Sequence, residues 1–126
     1  MLQLTPACYS RPISILALGY LGSTSSEILI QGPSFEQVFP LALSATSSSQ
    51  TELDLQAVNL ALLFSLSLKS PQKIIITNNK YIPMILRLQS KGEPIPYTKL
   101  VTKIRQKCEK EAVIIRFTST PLQEEL

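Results

Sequence analysis

The sequence predicts an α/β domain on a mixed five-stranded sheet, a three-stranded antiparallel meander plus parallel crossover strands, with helices on its faces. Three observations carry this. Three β-rich runs follow one another at hairpin distance before residue 44. The stretch from Leu53 to Leu68, the most apolar long segment of the chain, reads as a helix. Two later β-branched runs, 73–77 and 112–117, are each reached through a helical segment. Consecutive strands joined by short turns lie antiparallel, and a strand reached through a helix lies parallel to its neighbour by a right-handed crossover.

The first strand is Pro12-Ile-Ser-Ile-Leu-Ala-Leu-Gly19, apolar enough to be buried and bounded by a proline and the Gly22-Ser-Thr-Ser-Ser turn cluster. The second, Glu27-Ile-Leu-Ile-Gln31, ends in Gly32-Pro33-Ser34, where glycine freedom and the fixed proline φ make a turn. The third, Glu36-Gln-Val-Phe-Pro-Leu-Ala-Leu43, contains Pro40, which removes a ladder donor and places this strand at an edge or bends it there. A polar loop from Ser44 to Gln50 supplies the N-cap of the central helix, through either Ser49-x-x-Glu52 or Thr51-x-x-Asp54.

That helix has only Asp54, Gln56 and Asn59 as polar residues over most of its length. A helix apolar nearly all round is a membrane span or a core helix. Its run is shorter than the ~20 apolar residues a bilayer crossing needs, so it is a core helix and no membrane association is expected. It ends around Lys69, Ser70 and Pro71, and Lys73-Ile-Ile-Ile-Thr77 follows as a strand buried on both faces. After Asn78-Asn79, residues 81–89 form a short helix with Pro83 in its first turn and Gly92 closing it. A second helix puts Tyr97, Leu100, Val101, Ile104 and Cys108 on one face and Lys99, Lys103 and Lys110 on the other. The run 112–117 is the last strand, and a polar tail follows from Thr118 to Leu126.

At 126 residues, residues 1–126 are expected to form one domain, large enough for a core without metals or cross-links. The net charge of +3 hides an asymmetry. Nine of the basic residues lie between Lys80 and Arg116, whereas Arg11 is the only one before residue 50. Such a half meets phosphates or an acidic partner, or forms a solvated face. Cys8 and Cys108 form neither a metal spacing nor a disulfide framework, which fits a reducing, intracellular, cytoplasmic setting. The start Met1-Leu-Gln-Leu-Thr-Pro has no secretory character, so no targeting segment is expected. Histidine is absent, which excludes Ser-His and Cys-His nucleophiles and His-ligated zinc.

In order and wording the chain resembles the ribonuclease H-like family. Members open with a three-stranded meander, continue with a helix of the type Glu-Leu-x-Ala-Val-x-x-Ala-Leu, and then have a strand ending in Thr-Asp-Ser-x-Tyr-Val. The corresponding stretches here are Asp54-Leu-Gln-Ala-Val-Asn-Leu-Ala-Leu62 and Thr77-Asn-Asn-Lys-Tyr-Ile82, and a basic helix and final strand follow, so the order matches over nearly the whole chain. The resemblance implies two-metal phosphodiester hydrolysis, with carboxylates from the first strand, the central helix, the crossover strand and a C-terminal helix holding two Mg²⁺ or Mn²⁺ ions.

Position by position, most of that set is missing. The first-strand aspartate falls near Ala17 or Leu18, and no acid occurs from Met1 to Ser26. Asp54 replaces the helix glutamate, with Glu52 the competing alignment, and Asn78 stands where the crossover aspartate is expected. The acidic C-terminal helix is reduced to Glu124 and Glu125 on a tail. Each lost charge weakens ion binding by on the order of several kcal/mol at ~4 Å and an effective dielectric near 20. Asp54 and Asn78 are therefore remnant positions of a lost catalytic set, no cofactor is expected, and Glu52 and Asp54 are weak metal candidates only. Asp54 also has a structural role open to it, since an acid in a helix's first turn caps free amides, and Asn78-Asn79 equally make a turn with an Asn cap.

Three functions compete. One is a catalytically degenerate module that binds nucleic acid or serves as a subunit of a nucleic-acid-processing assembly, using Lys80, Lys91, Lys99, Lys103, Lys107 and Lys110. The sequence shows no evident aromatic stacking pair for that role. Another is a protein-interaction or oligomerisation subunit, a homodimer or larger complex, covering an apolar stripe of Leu60, Leu63, Phe64 and Leu66. The third is a nuclease with a non-standard Mg²⁺ or Mn²⁺ site built from Asp54 with Glu52, Glu124 or a carboxylate of another subunit.

Overall fold

Alternation of apolar residues on two faces makes Ile13–Leu21 (β2) the middle of a sheet. Ile13, Ile15 and Ala17 point to one side and Leu16 and Leu18 to the other, all buried. A strand apolar on both faces needs neighbours on both edges and cover on both sides. The computed structural model, which describes residues 7–8, 10–22, 25–42 and 49–119, supplies the neighbours. Ser25–Gln31 (β3) pairs with β2 antiparallel, and Glu36–Ala42 (β4) pairs antiparallel with β3. On the other side Lys73–Thr77 (β6) pairs with β2 parallel, and Val113–Phe117 (β7) pairs parallel with β6. The sheet order is β4-β3-β2-β6-β7, the mixed five-stranded sheet expected. β4 with Pro40 is an edge strand, where the missing N–H costs no ladder bond.

Two short strands lie outside the expectation: Ala7–Cys8 (β1) pairs parallel with Leu68–Lys69 (β5). Two residues carry no periodicity to detect. β3 begins at Ser25, inside the serine cluster expected to be a turn, because Ser25 and Ser26 complete ladders with Ala42 and Leu21; packing in a sheet overrides weak intrinsic preference. Residues 1–6, 43–48 and 120–126 lie outside the described residues, and with them most of the expected polar loop, Glu124 and Glu125.

The helices Gln50–Ser65 (α1), Tyr81–Ser90 (α2) and Thr98–Glu111 (α3) pack together on the face of Ile13, Ile15, Ala17, Ile28, Ile30, Ile75 and Val113. α1 lies over the sheet's centre, with Leu53, Leu55 and Leu62 almost fully buried. Each such side chain contributes about 2 kcal/mol of transfer free energy. On the opposite face Leu16, Leu18 and Leu29 make a smaller buried cluster with Ile76 against it.

Local chemistry sets the helix ends. Ser49 Oγ accepts from Glu52 N at 3.1 Å, so of the two capping alternatives Ser49 with Glu52 is the one formed. α1 stops at Ser65, short of the expected Lys69. There Ser65 Oγ and Ser67 Oγ donate to Leu62 O and Phe64 O, and the backbone tightens to Leu66 N→Leu63 O and Ser67 N→Phe64 O. Serine hydroxyls that bond back onto the preceding turn compete with helix propagation. Lys73 Nζ from β6 then donates to the freed Ser65 O at 2.7 Å. α2 keeps Pro83 in its first turn, and Gly92 leaves it at φ +80°, its N–H donating to Gln89 O. No helix among the described residues is long and apolar enough to cross a membrane.

Candidate functional site

Parallel strands that end side by side, with a helix starting above them, make a crevice at their carboxyl ends. Here β2, β6 and β7 end at that edge, and α1 begins over it. The resulting cleft, about 530 Å³, is lined from β2 by Gly19 and Tyr20, from α1 by Gln50, Thr51 and Asp54, from the β6–α2 turn by residues 78–81, and beyond β7 by Phe117 and Ser119.

Asp54 sits at the bottom, 2 % exposed. Its Oδ1 accepts from the Gly19 backbone N–H at 2.9 Å and from Gln50 Nε2 at 3.1 Å, and its Oδ2 accepts from Asn79 Nδ2 at 3.0 Å. Burial raises its pKa, against the lowering effect of the bonds from Asn79, Gly19 and Gln50. One carboxylate thereby ties three elements together.

Gly19 is the residue that sequence reasoning missed. The first-strand position was expected near Ala17 or Leu18, but Ala17 is sealed in the core and Leu18 faces the other side of the sheet. Gly19 is the β2 residue that meets Asp54. A Cβ there would lie 2.7 Å from Leu53 Cγ and 2.9 Å from Asp54 Oδ1, so any side chain is excluded by the close approach of α1. A glycine within a strand pattern is the signal that could have marked it.

Asn79, rather than Asn78, is the amide aimed at Asp54. Asn79 Oδ1 accepts from Tyr81 N at the start of α2, its N–H donates to Thr77 Oγ1, and its Nδ2 also reaches Thr51 Oγ1 at 3.3 Å. The turn expected between β6 and α2 is thus tied by Asn79, the residue before the Lys80 N-cap, and Asn78 is an exposed residue on the cleft wall. Glu52 is half-buried in the first turn of α1 and does not line the cleft.

The two divalent cations of ribonuclease H-like chemistry do not suit this donor set. A hard cation needs several oxygen ligands carrying negative charge, and the cleft offers Asp54 as its one carboxylate among the described residues, with both oxygens already accepting bonds. Its three neighbours Gly19, Gln50 and Asn79 turn N–H groups toward it, where a cation site would need further carboxylates. Among the described residues no three acidic or cysteine side chains gather.

The basic residues divide between two places. Lys80 lines the cleft, its Nζ 5.5 Å from the centroid of the Tyr81 ring. Lys99, Lys103 and Lys110 are exposed on α3, opposite buried Val101 and Ile104, as the spacing predicts. Lys107 is at the flank of that stripe, where Nζ donates to Asn59 Oδ1 on α1 at 2.8 Å. Lys91 is exposed just past α2 and does not line the cleft. The stripe from Lys99 to Lys110 is roughly 16 Å long at 1.5 Å per residue. Its leading end lies near the cleft, since Tyr97 Oη and Ser49 Oγ are 2.6 Å apart and Ser49 precedes the cleft residues Gln50 and Thr51. The apolar stripe expected on α1 is reduced to Leu63 and Leu66, because Leu60 and Phe64 pack against the core and Phe64 stacks on Phe35 at 5.7 Å.

No protein-family model matches the sequence, and no curated protein matches it. Among solved structures the chain is similar to the N-terminal RNase H domain of rv2228c from Mycobacterium tuberculosis, determined as a fusion with maltose-binding protein. The TM-score is 0.63 at 9 % identity, over 92 % of this chain and 88 % of that one. Likeness at that identity is likeness of fold, and the architecture is ribonuclease H-like.

Proposed function

We propose that this chain is a ribonuclease H-like module that binds nucleic acid without hydrolysing it. The observation that carries the reading is the state of Asp54, held by Gly19, Gln50 and Asn79 as the acceptor at the centre of a hydrogen-bond cluster. A carboxylate that accepts from three donors, with no second acid beside it among the described lining residues, is suited to holding β2, α1 and the β6–α2 turn in place. The binding half of the proposal is supported by the exposed lysines of α3 and by Lys80 in the cleft. Phosphate attraction requires cations along one face and no metal.

The test is a titration of labelled single-stranded, duplex and RNA–DNA hybrid oligonucleotides at low and moderate salt. The expected result is salt-sensitive binding, weakened in a Lys99/Lys103/Lys110→Ala variant and with a shallower salt slope. Absence of binding at low salt overturns the proposal.

A second reading, an interaction or oligomerisation subunit, is supported by Leu63 and Leu66, which are 46 % and 53 % exposed at the end of α1. It predicts a stable oligomer in sedimentation, indifferent to nucleic acid and dissociated by Leu63→Lys.

A further inference from the structure

Folding brings together aromatic rings that the sequence keeps far apart. Tyr81 at the start of α2 and Phe117 at the end of β7 both line the cleft, and they are 49 % and 39 % exposed. No stacking pair was evident in the sequence because these two rings are 36 residues apart along the chain and come to one cleft only at the carboxyl edge of the sheet. We infer that the cleft takes an unpaired nucleobase of a single strand, stacked on these rings, in place of the metal-bound backbone of a hybrid duplex. This rests on the proposed nucleic-acid-binding role and names its substrate.

The chemistry of the walls fits a base. A base presents two apolar π faces and an edge of donors and acceptors, and base–aromatic stacking tolerates any sequence because every base has such a face. The cleft offers rings for the faces, and the exposed Asn78 amide and the Thr51 and Ser119 hydroxyls for the edge. Lys80 Nζ lies over one face of the Tyr81 ring, 5.5 Å from its centroid, which puts a cation within reach of the phosphate of a nucleotide stacked on the other face. The volume, about 530 Å³, is within the range of small-molecule sites, ~300–1,000 Å³. A duplex keeps its base faces stacked on one another, so it has nothing to present to these rings. Asp54, the one acid among the described lining residues, is held by its three donors at the bottom.

The experiment uses tyrosine emission, which is directly readable because the chain has no tryptophan. A thymidine single strand, an abasic strand of the same length and charge, and an RNA–DNA hybrid are titrated at low salt into the wild type and into Tyr81→Ala, Phe117→Ala and Tyr81→Phe. The thymidine strand is expected to bind about tenfold tighter than the abasic one and to quench the emission. Tyr81→Ala and Phe117→Ala should each lose about tenfold for the thymidine strand with abasic binding unchanged, and Tyr81→Phe should retain the affinity. Unaltered thermal melting of each variant shows that the fold persists. Equal affinity for thymidine and abasic strands, or tighter binding of the hybrid, overturns base stacking while leaving phosphate binding standing. Failure of all three to bind overturns both.

Discussion

Asn79 Nδ2 donates to Asp54 Oδ2 across 3.0 Å, joining the turn after β6 to the N-terminal half of α1. An amide here gives Asp54 a hydrogen-bond donor where a second carboxylate would give it a repelling charge. Asn79→Asp should therefore destabilise the protein at neutral pH by on the order of 3 kcal/mol, from a lost charged hydrogen bond and a new repulsion. Thermal melting should show the deficit narrowing as pH falls, and Mn²⁺ narrowing it at neutral pH. An unchanged melting temperature would mean that the two groups do not face each other.

Asp54 itself makes stability depend on pH in an unusual direction. Its pKa in the folded chain is raised by burial above the ordinary range of an aspartate, so the folded state holds this proton more tightly than the unfolded state. Stability then falls as pH rises from the unfolded value through the folded one, and the loss is complete above it. The wild type should accordingly lose stability relative to Asp54→Asn as pH increases from near 4, measured as the difference in urea midpoint between the two. A difference that grows in the opposite direction would show that the three donors outweigh desolvation.

Gly19 is fixed by the same close approach. Gly19→Ala puts a methyl group against buried Leu53 and Asp54, and overpacking of this kind costs about 1–3 kcal/mol. Denaturant unfolding should show a lower midpoint at an unchanged slope.

At the other end of α3, Ala112 takes a left-handed conformation, φ 56° and ψ 49°, as the helix's C-cap. An L-residue with a Cβ pays roughly 1–2 kcal/mol in this region, which glycine avoids. Ala112→Gly should raise the melting temperature, the rarer direction for a point substitution. A fall would place the compensation in Ala112's methyl packing.

The main elements were legible because each announces itself over several residues. Ile13 to Leu18 is apolar on alternate and then on both faces, and the lysines of α3 recur at helical spacing. The mixed character of the sheet followed from chain order and connection rules, whereas the order of its strands came from the structure. The centre of the site was less legible. Asp54 could be named from its place in the helix, but whether Asn78 or Asn79 meets it depends on how the chain turns after Thr77. Gly19's role is a distance between β2 and α1, and the placing of Tyr81 and Phe117 in one cleft is a property of the sheet's edge. The end of α1 was misplaced because Ser65 and Ser67 bond backward, a local competition that apolar periodicity through Leu68 conceals.

If the cleft holds nucleic acid without a hydrolytic metal pair, Mn²⁺ titrated calorimetrically into the protein with labelled single-stranded and hybrid oligonucleotides should give no saturable heat beyond that of the oligonucleotides alone, and the same samples should hold bound, intact strands. Mn²⁺-dependent cleavage that disappears in Asp54→Asn would overturn this reading.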